Sequence, residues 1–206
     1  MKILTQTRPD GTFKLVGLSE CDTTCQKIWD HNYDHLVEAN GIQKWKHMVN
    51  RPMGKVKKAD LYCIGIPCKT ASTAGKRGAR DDATLHDIMA ACVEYVEKKT
   101  PKFCFIEEVD NFALQFEDVC LMLVETLRSV KGPKGKSKYK IHSNIIDAKD
   151  VAGVPNSRRR FYLVGLRRDL TGQSKFGFCW PGNKPFQHQL DEYISPAHPD
   201  HDPWAS

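Results

Sequence analysis

The sequence has no long hydrophobic run. Its longest apolar strings are about six residues, where a helix that crosses a bilayer needs roughly 20. No membrane span is expected. The opening residues, Met1-Lys2-Ile3-Leu4-Thr5-Gln6-Thr7-Arg8, lack the apolar stretch of a secretory signal peptide. There is no Cys-x-x-Cys pair, and Cys21 and Cys25 have no second Cys or His cluster to complete a tetrahedral site, so no metal is expected. The eight cysteines are irregularly spaced in a chain of 206 residues, too long for a small disulfide-stapled scaffold. Cys63, Cys104 and Cys120 sit in apolar strings, where a thiol behaves as a small hydrophobe. That usage predicts a reducing, intracellular compartment. Internal repeats are missing as well, which excludes solenoids and propellers. What remains is the composition of one ordinary globular domain, 40% hydrophobic and 27% charged.

Charge of one sign is not abundant either: 31 basic residues against 25 acidic ones leave a net of +6. The balance is compatible with a nucleic-acid partner and does not by itself require one. Clustering says more. Lys55, Lys57 and Lys58, and the group Lys131, Lys134, Lys136, Lys138 and Lys140, read as solvated surface. Arg158-Arg159-Arg160, with Arg167-Arg168 behind, reads as a surface patch or as a planar binder of phosphate.

Segments of strand and helix character alternate along the chain. Phe13–Leu18 is a short buried strand candidate, and what precedes it is ambiguous. Asp22 is a helix N-cap for a helix from Thr23 to about Ala39, stopped by Asn40-Gly41. Ala59–Ile66 is a continuous apolar strand closed by Pro67. Residues 69–82 form a Gly-, Ser-, Lys- and Arg-rich loop. Leu85, Ile88, Met89, Cys92, Val93 and Val96 recur at helical spacing. Phe103–Ile106 is a strand followed at once by Glu107-Glu108, and a helix from Leu114 to Val130 comes next. Tyr139–Ile146 and Arg160–Leu166 complete the strands, and the Pro-, Gly- and His-rich remainder reads as an extended or partly disordered tail. Strands alternating with helices predict an α/β fold, Rossmann-like, with a mostly parallel sheet and flanking helices. In such sheets ligands collect at the carboxyl ends of strands, which nominates Glu20, Pro67-Cys68 and Glu107-Glu108.

Each nominee has two readings. Cys68, between Pro67 and Lys69 at the mouth of a basic loop, is a structural cysteine or a nucleophile whose thiolate is favoured by Lys69, Lys76, Arg77 and Arg80. Glu107 is a helix-capping carboxylate or a general acid raised by burial.

Together these residues resemble the cytosine-5 DNA methyltransferase family. Gly65-Ile66-Pro67-Cys68, with Ser72, Ala74 and Gly75, is similar to its Pro-Cys nucleophile motif and loop. Pro101–Val109 resembles its Glu-Asn-Val strand, and Gly153–Arg160 its Gln-x-Arg-x-Arg motif. Ser19-Glu20-Cys21-Asp22 resembles the acidic segment that holds the cofactor. The resemblance implies S-adenosylmethionine as cofactor, bound through Glu20, Asp22 and Pro67. It implies catalysis by Cys68, Glu107, Arg158 and Arg160 on a cytosine flipped from double-stranded DNA. Lys69, Ser72, Lys76, Arg77, Arg80 and Asn156 are then the nucleic-acid contacts. It also implies a catalytic core over residues 19–170, after an uncertain segment 1–18 and before a tail 171–206. The expected compartment is the nucleus in a eukaryotic host and the cytoplasm in a bacterial one.

The sequence also departs from the family. Lys69 replaces a Gln, Glu108 the Asn of Glu-Asn-Val and Asn156 a Gln, and Asp81-Asp82-Ala83-Thr84 lacks the arginine that usually follows the loop. A Phe-x-Gly-x-Gly segment, a target-recognition region and a closing Gly-Asn helix are not found, so the fold is expected to be truncated at both ends. Three alternatives stay open: an inactive methyltransferase remnant, a nucleic-acid-binding module, and an RNA cytosine-5 methyltransferase.

Overall fold

A computed structural model describes residues 2–7, 13–40, 43–45, 49, 51–67, 83–171 and 178–184. The strands are β1 (Lys2–Thr7), β2 (Phe13–Ser19), β3 (Gln43–Trp45), β4 (Leu61–Gly65), β5 (Phe103–Val109), β6 (Tyr139–Asp147) and β7 (Arg159–Arg167). The longer helices are α1 (Thr23–Asn40), α2 (Ala83–Lys99) and α4 (Glu117–Ser129). α3 (Asp110–Leu114), α5 (Ala148–Ala152) and α6 (Arg168–Thr171) are single turns. None of the described helices is long and apolar enough to cross a membrane.

One sheet carries all seven strands in the order β3-β2-β1-β4-β5-β7-β6. β2 with β3 and β4 with β5 pair in parallel, while β1 is antiparallel to both of its neighbours. Strands β2, β3, β4 and β5 therefore share one direction, and β7 runs against them. The expected parallel character belongs to those four strands; β1 fills the slot between β2 and β4 in reverse. All four co-directed strands end at one edge of the sheet, and β7 starts there.

Alternation decides the core. Tyr62 and Ile64 on β4, Cys104 and Ile106 on β5, and Phe161 and Leu163 on β7 are buried on one face. The apolar stripe of α2 (Leu85, Ile88, Met89, Cys92, Val96) and that of α4 (Val119, Leu123, Leu127) are buried in the same core. Two of its aromatic hydroxyls bond to backbone: that of Tyr95 donates to the Lys57 carbonyl at 3.0 Å, and that of Tyr139 to the Pro101 carbonyl at 2.8 Å.

Two elements differ from expectation. The helix expected over 114–130 is broken, because Phe116 is buried in a non-helical conformation (φ −123°, ψ 46°) between α3 and α4. The strand expected to stop at Ile106 continues to Val109, held by β7 pairing as far as Val109 opposite Arg160. Glu107 and Glu108 thus lie inside a strand and project to opposite faces.

The chain divides into two compact units, Met1–Ile145 with Arg160–Gly177, and Ile146–Arg159 with Phe178–Ser206. In the second, the Lys184 N–H donates to the Asp150 carbonyl. The loop expected at 69–82 lies outside the described residues, as does most of the expected tail.

Candidate functional site

The end of β2 is built by local hydrogen bonding. Glu20 Oε1 accepts from the backbone N–H groups of Cys21 (2.8 Å) and Asp22 (3.0 Å). Asp22 Oδ1 then caps α1, accepting from Thr24 and Cys25. The side-chain amide of Gln26 on α1 reaches back to the Glu20 carbonyl at 2.5 Å. Burial works to raise the Glu20 pKa, yet it stands below the usual carboxylate range, and the two amide bonds are among the causes. Glu20 is therefore held ionised at a fixed position.

Glu20 lines a cavity of about 270 Å³ together with Leu18, Gln26, Trp29, Asp30, Lys44 and Trp45. Asp22 is not among these residues. Lys44 Nζ lies 2.6 Å from Asp30 Oδ1 and 5.5 Å from the centre of the Trp29 ring, tying β3 to α1. Trp45 Nε1 is buried without an acceptor among the described residues. Two indoles offer flat apolar surface, and a fixed carboxylate accepts well from a pair of vicinal hydroxyls. A fixed carboxylate and two indoles form a set that can hold a nucleoside. Gln26, Trp29, Asp30, Lys44 and Trp45 escaped the sequence reading. Of these, only Gln26 and Asp30 carry a signal in the sequence, their spacing of four and eight residues from Asp22 along one helix face.

Further along the same edge stand Pro67, exposed just past β4, and Glu107 on β5. Arg160 Nε of β7 lies 2.9 Å from Glu107 Oε1, both side chains being half-buried. The Ile66 N–H donates to the Glu107 carbonyl at 3.2 Å, which ties the end of the run before Pro67 to the strand that carries Glu107. Gly65, opposite Glu107 in the parallel register, leaves room for its carboxyl: a Cβ there would sit 3.2 Å from Oε2. The lateral distance from β2 to β5 is three strand spacings, about 14 Å, so the cavity and the Glu107–Arg160 pair are neighbours on one edge.

Glu108 projects into the core, 1% exposed. Its Oε2 accepts from the Val109 N–H at 2.6 Å, and its Oε1 is buried without a partner among the described residues. Burial, chiefly, pushes its pKa up to about 7; Glu107 adds to the rise, while the Val109 amide and Arg160 oppose it. A carboxyl protonated at this depth has one O–H donor and an acceptor oxygen, one donor fewer than the amide it replaces.

In the second unit, Asp147 organises the arginine loop. Its Oδ1 accepts from the N–H groups of Lys149 (3.0 Å) and Arg158 (2.8 Å), and Oδ2 accepts from the Ser157 hydroxyl at 2.5 Å. The Ala148 N–H returns a bond to the Arg158 carbonyl at 3.2 Å. Gly153 ends α5 with φ 64°, a left-handed position that favours glycine. Asn156 and Arg158 are exposed on this loop. Asp147 also escaped the sequence reading. Cys68, Lys69, Ser72, Lys76, Arg77 and Arg80 lie outside the described residues.

An open α/β sheet with flanking helices and a cavity where its second strand ends is a Rossmann-like fold of the methyltransferase type. Solved chains share it. *Spodoptera frugiperda* DNMT2 superposes with a TM-score of 0.60 at 18% identity, over 88% of this chain and 52% of that one. The *Entamoeba histolytica* methyltransferase EhMeth gives 0.59 at 17%, over 86% and 51%.

Residues 4–202 match the family model of the C-5 cytosine-specific DNA methylases, and the chain belongs to that family. The type II methyltransferase M.HhaI of *Haemophilus parahaemolyticus* is 31% identical over 182 residues, 86% of this chain and 51% of its own length. M.HpaII of *Haemophilus parainfluenzae* is 29% identical over 172 residues, 83% of this chain and 44% of its own. The chain thus spans about half the length of the curated relatives it matches.

Proposed function

We propose that the chain is a catalytic portion of a methyltransferase acting on C5 of cytosine in DNA, with S-adenosylmethionine as methyl donor. The observation that carries this reading is the Glu107–Arg160 pair at 2.9 Å, on the edge where Pro67 follows β4 and the Glu20 cavity opens. The reading is supported by the family and by relatives named type II methyltransferases.

Glu20, Trp29 and Trp45 would hold the nucleoside part of the cofactor, and Pro67 is the further residue assigned to cofactor binding. When bound, S-adenosylmethionine supplies an electrophilic methyl group. Cys68 thiolate adds to C6 of a cytosine turned out of its stack, and Glu107 holds a proton at N3, drawing electron density from C6 and leaving C5 nucleophilic. Arg160 engages Glu107 Oε1 and fixes the carboxyl plane over Gly65. After methylation, loss of the C5 proton expels Cys68 and restores the aromatic base. Arg158 and Asn156 contact the nucleotide backbone, and Lys69, Ser72, Lys76, Arg77 and Arg80 track the neighbouring phosphates. A DNA substrate places the protein in the bacterial cytoplasm or the eukaryotic nucleus.

DNA carrying 5-fluorocytosine tests this, because fluorine at C5 blocks proton loss and leaves Cys68 covalently attached. A stable adduct that needs S-adenosylmethionine and vanishes in Cys68→Ala is expected. An adduct only with RNA carrying 5-fluorocytidine would move the substrate to RNA. No adduct and no cofactor binding would leave an inactive remnant.

A further inference from the structure

Arg51 lies outside every motif of the sequence, yet it braces one wall of the cavity. Its guanidinium carbon is 4.3 Å from the centre of the Trp45 ring, and its Nη2 donates to Ser19 Oγ at 2.8 Å. Ser19 is buried, the last residue of β2, directly before Glu20. The Glu20 N–H donates in turn to the Trp45 carbonyl at 3.1 Å. Arg51, Ser19, Glu20 and Trp45 therefore close a ring of contacts around the junction of β2 and β3. Among the described residues β3 is the terminal strand of the sheet and pairs with β2 at three positions, so that backbone pairing gives Trp45 little support. Trp45 lines the cavity and Arg51 does not. The guanidinium is stacked on an indole that lines the space a ligand would fill.

We propose that Arg51 is a positioning residue, which holds Trp45 as a fixed plane for the purine of the cofactor and acts through Trp45 without touching the ligand. The inference rests on the cofactor reading above. A planar cation stacked on an indole is held by charge and by shape together, and the Ser19 hydrogen bond fixes the guanidinium plane. A ring held before binding loses little freedom when the ligand arrives. Lysine retains the charge over the ring but not the flat fork, so it restores only part of the effect.

The test is a double-mutant cycle on the full chain, read by calorimetric binding of S-adenosylhomocysteine and by quenching of tryptophan emission. Trp45→Ala is expected to weaken binding about thirtyfold, in line with loss of one stacking plane. Arg51→Gln should weaken it about tenfold, with Arg51→Lys in between. Arg51→Gln added to Trp45→Ala should cost less than about twofold more. Binding by Arg51→Gln equal to wild type overturns the inference, and so does an undiminished further loss in the double variant. If Arg51→Gln does not fold, Ser19→Ala removes the anchor of the guanidinium and should show the same non-additivity with Trp45→Ala. A wild-type chain that binds neither S-adenosylhomocysteine nor S-adenosylmethionine would overturn the cofactor reading, and this inference with it. A wild type that binds while Arg51→Gln binds equally well removes the inference alone.

Discussion

Arg160 and Glu107 meet diagonally across two antiparallel strands: Glu107 is opposite Tyr162 and Val109 is opposite Arg160, yet Arg160 Nε reaches Glu107 Oε1 at 2.9 Å. One carboxylate oxygen is thereby fixed by a planar donor, which sets the orientation of the other. Arg160→Ala should slow methyl transfer by about 100-fold through loss of that orientation. Arg160→Lys should rescue it poorly, because an ammonium cannot reproduce the Nε geometry. Single-turnover rates on cytosine-containing DNA, compared with DNA affinity, check this. A loss confined to affinity would assign Arg160 to binding alone.

Gly65 gives a second handle on the same carboxyl. A methyl group at this position approaches Glu107 Oε2 to 3.2 Å, so the carboxyl must shift by a few tenths of an ångström. Gly65→Ala is expected to lower turnover by about tenfold or more while the melting temperature stays within about 3 °C of wild type. Unchanged turnover would mean that the carboxyl has slack in its position.

Glu108 makes stability depend on pH. Its folded-state pKa, about 7, lies above the ordinary carboxylate value of 4.5, so the folded chain binds the proton more tightly than the unfolded one. The contribution to stability is full below about 4.5 and is lost as pH rises through about 7. Glu108→Gln removes this dependence, and it should be more stable than wild type at pH 8 by on the order of 3 kcal/mol. That advantage should shrink toward pH 5. Urea unfolding of both proteins at the two pH values tests the sign; a gap independent of pH would show that Glu108 does not titrate in this range.

Asp147 works in the opposite direction. The Ser157 hydroxyl, with the Lys149 and Arg158 amides, holds its carboxyl below the ordinary value of 3.8. Its contribution is therefore present above that value and is lost as pH falls through the lower folded-state pKa. Asp147→Ala should speed hydrogen exchange at the Lys149 and Arg158 amides by about tenfold or more. Asp147→Asn, which keeps one acceptor oxygen, should lie between. Equal protection in all three proteins would show that the arginine loop is held by other contacts.

Much of this was legible in the chain because the periodicities were local. The helical recurrence of Leu85, Ile88, Cys92 and Val96 and the apolar run Leu61–Gly65 each report their own burial. Asp22 was readable as a cap because capping involves only the next few residues. Strand β1 was not legible: Lys2–Thr7 has little apolar pattern of its own and is defined by backbone ladders to β2 and β4 on either side. The same limit hid Trp45, which stands on a three-residue strand, and Arg51, whose partners Ser19 and Trp45 come from two different strands.

The sequence by itself determined the alternation of strands and helices and the Pro-Cys, Glu-x-Val and arginine motifs by which it resembles the family. It also determined which residues are candidates for chemistry, since residue type and immediate neighbours specify these. Only the tertiary structure decided that β5 runs on to Val109, sending Glu107 toward Arg160 and Glu108 into the core. Only the tertiary structure made a cavity from Glu20, Trp29 and Trp45. The reason is physical. Pairing with β7 set the length of β5, and a two-residue strand period turned that length into opposite environments for adjacent carboxyls.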